Sequence, residues 1–256
     1  MSFVVVIPAR FASTRLPGKP LLDIAGKPMI EHVWLRAQQS KASEVVIATD
    51  DVRIAETATQ FGAQVVMTRT DHPSGTDRLQ EVAAQRGWSD EQVVVNVQGD
   101  EPLIPPAVIN QVADLLLTQK AADIATLCEA IHEEMQFRDP NVVKVVCNAA
   151  MQALYFSRAP MPWPREGLPV MTDSHGQAVW SYRHIGLYAY RTGFLHHYVQ
   201  WEPCVLENSE KLEQLRALHN GSRIQVAESC LQIPGGVDTQ QDLDTVRRYL
   251  AGTSST

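Results

Sequence analysis

The sequence predicts an α/β protein, a mostly parallel sheet covered by helices that carries a smaller insertion of mixed or antiparallel strands. Three observations point there. In the first half, short runs of Val and Ile alternate with helical apolar patterns. Those runs lack a polar alternate residue, as expected of strands covered on both faces. After residue 120 the alternation lapses, and strand-like segments follow one another without long helices between them.

The elements follow in order. "FVVVIP" reads as a buried strand and "PMIEHVWLRAQQ" as an amphipathic helix. "EVVIATD" is a strand, and "VRIAETATQFG" a helix closed by Gly62. "AQVVM" is a strand, and "TDRLQEVAAQRG" a helix closed by Gly87. "QVVVNVQGD" is a strand, and "PAVINQVADLLLTQ" a helix with Pro105 and Pro106 near its start. Right-handed crossovers then set the loops after these strands along one edge, where ligands bind. Downstream, "NVVKVVCN", "ALYFSR" and "SYRHIGLYAYR" read as strands, the last two separated by a Pro-, Trp- and Gly-rich stretch. Helical periodicity returns in "TGFLHHYVQW" and "NSEKLEQLRALHNG". A strand "RIQVAE" and a helix "DTQQDLDTVRRYLAG" complete the chain. The expected division is a core of residues 1–130 and 205–256 with an insertion of residues 131–204.

Composition narrows the function. The 256 residues carry a formal net charge of −7, which argues against nucleic acid or an anionic membrane as partner. No apolar run is long enough to span a bilayer, and no targeting segment is visible. Cys128, Cys147, Cys204 and Cys230 form no close pair, so they read as reduced thiols of a cytoplasmic protein. The dinucleotide GxGxxG, the P-loop, HExxH and GxSxG are all absent.

Against that acidic background a basic loop stands out. Arg10, Arg15 and Lys19 crowd the segment after the first strand, where a doubly wound fold presents groups to phosphates. Two guanidinium forks and an ammonium suit a triphosphate, and a solvated basic loop is the rival reading. The strand "VVVNV" ends in Gln98, Gly99, Asp100 and Glu101. Asp100 there is either a magnesium ligand or the cap of the next turn. In "IPGGVDTQQD", Asp238 carries the same two readings, metal ligand or helix cap. Ser74, Gly75 and Thr76 form a small polar turn before a helix, with Arg78 in its first turn; such a turn either meets a nucleotide or simply caps the helix.

Taken together and in order, "IPARFASTRLPGKPL", "HPSGTDR", "NVQGDEPLI", "YFSRAP", "RHIGLYAYR", "LEQLR" and "GVDT" resemble the 3-deoxy-manno-octulosonate (KDO) cytidylyltransferases, the CMP-KDO synthetases, from residue 3 to about residue 250. The resemblance implies a Rossmann-like nucleotidyltransferase domain that joins CTP and KDO, with Mg2+, for lipopolysaccharide synthesis. Another acid sugar, such as a sialic acid or a modified KDO, is the alternative acceptor. It also implies that Arg10, Arg15 and Lys19 clamp the triphosphate, with Ser74, Gly75, Thr76, Arg78 and Gln98 on the nucleotide. Asp100 and Asp238 would hold the metal, while Gln98, Arg158, His184, Tyr188, Glu213 and Gln214 would meet the sugar. His184 and Tyr188 share a strand face that core or a subunit contact would equally explain. A homodimer is expected, with residues 131–204 supplying sugar and dimer contacts.

Overall fold

The computed structural model describes residues 2–12, 16–167, 171–173 and 175–253. Strand β1 (Phe3–Ala9) enters the middle of the main sheet. Phe3, Val5, Ile7 and Ala9 face one apolar cluster, while Val4 and Val6 face another on the opposite side. Both faces are dry, which is why the strand shows no polar alternate. A two-stranded ribbon, β2 (Asp23–Ile24) and β3 (Lys27–Pro28), leads into helix α1 (Met29–Gln38). Next come β4 (Glu44–Thr49), α2 (Val52–Gln60) and β5 (Gln64–Met67). Asp51 caps α2 by accepting the Arg53 N–H. Helix α3 (Gly75–Arg86) is capped by Ser74 and stopped by Gly87, whose φ of 63° is the left-handed conformation that glycine tolerates. Strand β6 (Val93–Asn96) and helix α4 (Pro106–Thr118) close the regular half. Pro106 sits where its missing N–H costs nothing.

The irregular half comprises β7 (Ile124–Ile131), α5 (Glu134–Arg138), β8 (Lys144–Cys147) and β9 (Ala153–Ser157), followed by the short pair β10 (Met171–Thr172) and β11 (Ala178–Val179). The long strand β12 (Ser181–Arg191) leads into α6 (Thr192–Tyr198), α7 (Val205–Glu210), α8 (Gln214–His219), β13 (Ile224–Glu228) and α9 (Gln240–Thr253).

Along the main sheet the order is β13-β7-β12-β6-β1-β4-β5, with β8 and β9 branching from β12. Only β12 on this path runs antiparallel to its neighbours. Strand order reverses beside β1, which lies between β4 and β6; that is the switch point where such sheets open a crevice. Helices α1, α2 and α4 cover one face, and α3, α6 and α8 cover the other.

Two expectations are corrected. Residues 131–204 do not stand apart from the core, because β12 fills the sheet centre between β6 and β7. Its Ile185, Leu187 and Ala189 join one apolar cluster, and Tyr188 and Tyr190 join the other. Its first half also pairs with β8, and a register break between Ile185 and Tyr188 lets one strand serve both pairings. The single helix expected over "NSEKLEQLRALHNG" is two, since Lys211 adopts a left-handed φ of 55° and closes α7.

Arg78 is fully buried, so it offers no donor to a nucleotide in open solvent. Its guanidinium donates to Thr68 Oγ1 after β5 and, at 2.9 Å, to Asp50 Oδ2 after β4. It thereby ties α3 to the ends of two neighbouring strands. Removing one partner of such a pair strands a buried charge, which outweighs the modest worth of the pair itself. Asp50→Ala is therefore expected to lower unfolding free energy by about 3 kcal/mol in urea titrations. A change under about 0.5 kcal/mol, typical of surface substitutions, would show that the pair does not hold α3.

Candidate active site

The site lies where β1 and β6 end side by side. Gly99 follows β6 so closely that a Cβ there would sit 2.8 Å from the Pro8 carbonyl oxygen. Any side chain would force the two strand ends apart. The loop after β1 folds back on itself: Gly18, with a φ of 67°, donates its N–H to the Phe11 carbonyl at 3.1 Å. A single helical turn, Lys19–Leu21, then aims Lys19 at the end of β6. Arg15 lies outside the described residues.

Lys19 Nζ donates to Asp100 Oδ2 at 2.7 Å, to the Val237 carbonyl at 2.9 Å and to Asp238 Oδ1 at 3.2 Å. Two carboxylates 138 positions apart in sequence thus converge on one cation. The Val237 N–H bonds the Asp100 carbonyl at 2.8 Å and locks the two segments together. Neither aspartate caps a helix. Thr239 and Asp242 cap the start of α9 reciprocally, and α4 begins on Pro105 and Pro106. The cap position of α9 is thus taken by Thr239 and that of α4 by Pro105.

This donor set fits a magnesium ion. It offers hard oxygens that already surround a positive charge, with the Lys19 ammonium standing where a cation is wanted. Among the described residues no group of three or more His, Cys, Asp or Glu could hold a metal, so the two carboxylates would leave positions for water and phosphate oxygens. Neighbouring Glu101 is half-buried with its Oε2 enclosed, and desolvation together with the Asp100 charge pushes its carboxyl up to about 8, so it adds little negative charge at neutral pH.

Arg10, Lys19, Gln98, Asp100 and Asp238 line one cleft of about 400 Å3. Arg10 Nη2 donates to the carbonyls of His72 and Ser74 at 2.8 and 3.1 Å, binding the loop before α3 to this wall. A second cleft, of about 310 Å3, is lined by Gly75, Thr76, Gln98, His184, Tyr188 and Gln214, with Glu213 beside them. Gln98 belongs to both clefts, so the two join at that side chain.

The second cleft mixes aromatic and polar side chains, with Lys211 and Glu213 as its ionisable groups beside His184. Burial drives the His184 imidazole down to about 3, so it is neutral at physiological pH. Burial also raises the Glu213 carboxyl, although the Thr76 hydroxyl donates to it at 3.1 Å and partly counters the rise. The Tyr188 hydroxyl, Asn96 Oδ1 and Gln214 Nε2 are buried without a partner. Ser74 serves as the α3 cap and also donates to Asp77 Oδ2 at 2.5 Å.

Arg158 does not line this cleft. Its Nε donates to the Glu210 carbonyl at 2.7 Å and its Nη1 to the Pro140 carbonyl at 3.0 Å. Glu210 itself accepts the Ser157 hydroxyl and the Arg158 N–H, a structural part. Asn96 and Tyr190 line the cleft without having been singled out from sequence. Asn96 is the lone polar residue of the run "VVVNV", and Tyr190 repeats Tyr188 at strand period two.

A mixed α/β sheet with its crevice at the switch point, and a cationic and acidic cleft opening onto a polar one, define a nucleotidyltransferase. Residues 4–224 match the cytidylyltransferase family model. A 3-deoxy-manno-octulosonate cytidylyltransferase of Cellvibrio japonicus is 58% identical over 98% of each chain. One of Alcanivorax borkumensis is 57% identical, covering 98% of this chain and 100% of that one. A solved CMP:2-keto-3-deoxy-manno-octonic acid synthetase complexed with CTP superposes with a TM-score of 0.89 at 43% identity, covering 99% of this chain and 100% of that one. The chain belongs to the 3-deoxy-manno-octulosonate cytidylyltransferase family.

Gly99→Ala tests the close packing under the site. The added methyl overlaps a backbone carbonyl, so a stability loss of about 1–3 kcal/mol and weaker nucleotide binding are expected. Wild-type melting and nucleotide affinity would show that the strand ends are not held this closely.

Proposed function

We propose that the protein transfers CMP from CTP to the anomeric hydroxyl of KDO, releasing CMP-KDO and pyrophosphate for lipopolysaccharide assembly. The observation that carries this reading is the junction at Gln98. On one side lie the groups a nucleoside triphosphate needs, and on the other a hydrogen-bonding cleft with one cation, Lys211, suited to a hydroxyl-rich acid sugar.

In the proposed reaction the anomeric oxygen attacks the α-phosphorus and pyrophosphate leaves in line. The obstacle is charge, because an acid sugar approaches a triphosphate. Arg10, which lines the charged cleft, and Arg15 would offset that charge with planar donors. Asp100 and Asp238 would hold magnesium, which when bound neutralises phosphate charge and polarises the α-phosphorus. Lys19, released from the two carboxylates, is then free to meet the leaving pyrophosphate. Gln98 sits between the two substrates and orients both. His184 is kept neutral by burial, so it serves as a hydrogen-bond partner for sugar hydroxyls. Thr76 donates to Glu213 and so fixes the start of α3 against the start of α8 within the second cleft.

A homodimer fits this reading: Met135, Leu154 and Trp163 stand exposed on residues 131–204. No described helix is long and apolar enough to cross a membrane.

Pyrophosphate release with CTP, magnesium and KDO, checked by product mass, tests the reaction. Release should depend on KDO and favour CTP over other nucleoside triphosphates; release with a sialic acid instead would move the acceptor. Asp100→Asn and Asp238→Asn are each expected to lower turnover about a hundredfold or more, with folding retained. Near-normal turnover in both variants would end the carboxylate model.

A further inference from the structure

We infer that Asn96 reads a hydroxyl of the acid sugar and sets which sugars the enzyme accepts. This rests on the proposed reaction and adds a residue to it. Asn96 ends β6 in the centre of the sheet, where every other residue of the strand is apolar. Its neighbours Val93 and Val95 turn to one apolar cluster, and Val94, on its own face, joins the other. Asn96 is 4% exposed, and its Oδ1 is buried without a hydrogen-bond partner. A buried acceptor left unpaired destabilises a fold, and a hydrocarbon of similar volume at the same place would not. The fold tolerates that cost at a position that lines the sugar-side cleft.

The surroundings say what would complete it. Asn96 lies directly opposite Tyr188 in the β6–β12 pairing, so the two side chains share one face. The Tyr188 hydroxyl and Gln214 Nε2, which line the same cleft, are likewise buried and unpaired. One acceptor, one donor and one hydroxyl able to do either make a three-point pattern for vicinal hydroxyls. An amide oxygen only accepts, so the matching sugar position must carry a donor. A sugar lacking that hydroxyl leaves Oδ1 buried and unpaired, and such a mismatch is rejected far more strongly than a change in apolar bulk.

Asn96→Leu removes the acceptor and keeps the branching at Cγ with a modest gain in volume. Its melting temperature is expected to equal or exceed that of the wild type, while the KM for KDO rises about tenfold or more and that for CTP stays within about twofold. Across KDO analogues each lacking one hydroxyl, the wild type should reject one analogue strongly, and Asn96→Leu should lose that discrimination. A lower melting temperature with unchanged KM for KDO would make Asn96 a structural residue and overturn the inference. So would unchanged discrimination across the panel, or a rise in the CTP KM alone. Failure of the wild type to use KDO would instead overturn the proposed reaction, so the two failures are distinguishable.

Discussion

The site is organised around one ammonium group. Lys19 holds Asp100, Asp238 and the Val237 carbonyl at once, which uses all three of its N–H donors. Two carboxylates gathered on one ammonium repel, and unit charges at about 4 Å do so by roughly 4 kcal/mol at the effective dielectric of a protein surface. Their convergence therefore needs a cation, and the protein carries its own. What places that cation is ordinary packing. Ile24, Met29, Val237, Leu243 and Val246 form a small apolar cluster under α9, joined by Leu16, Leu22 and Leu103. The residues flanking Lys19, the loop after Asp100 and the residue before Asp238 are all anchored in it. Hydrophobic burial fixes the three backbones, and electrostatics then sets the side chains.

The two clefts differ in kind. One end concentrates formal charge, while in the other burial keeps His184 neutral and raises the Glu213 carboxyl. That contrast suits a polyanion beside a sugar acid recognised mainly through its hydroxyls. It also explains how a chain with a net charge of −7 can take a triphosphate: the relevant field is local, set by Arg10, Lys19 and strand ends.

Much of the fold was legible because strands β1, β4, β5 and β6 are continuous Val and Ile runs punctuated by helices with readable stops at Gly62 and Gly87. The assignment of β12 was not, since strand periodicity does not say which neighbours a strand will take. Nor was the break at Lys211, because left-handed backbone there falls on a residue that carries no turn signal. For Asp238, sequence left cap and ligand open. The neighbouring Thr239 does the capping, which only hydrogen-bond geometry reveals. The buried setting of Arg78 was not legible for a related reason: its partners Asp50 and Thr68 come from two other strand ends. Asn96 was readable as an oddity within a hydrophobic run, yet its unpaired oxygen becomes evident only when the cleft is built. Arg158, carried over by resemblance, is engaged with main-chain carbonyls outside that cleft.

The antiparallel strand at the sheet centre has a consequence for how the molecule is made. On the ribosome, β1, β4, β5 and β6 are all synthesised before β12, and Asn96 waits for Tyr188 on the order of ten seconds. During that interval β6 is an uncovered, valine-rich border of a half-built sheet, and β7 has no neighbour through which to join it. An unpaired edge of this kind is prone to wrong association, and the exposure ends only once residues 181–191 have paired with it.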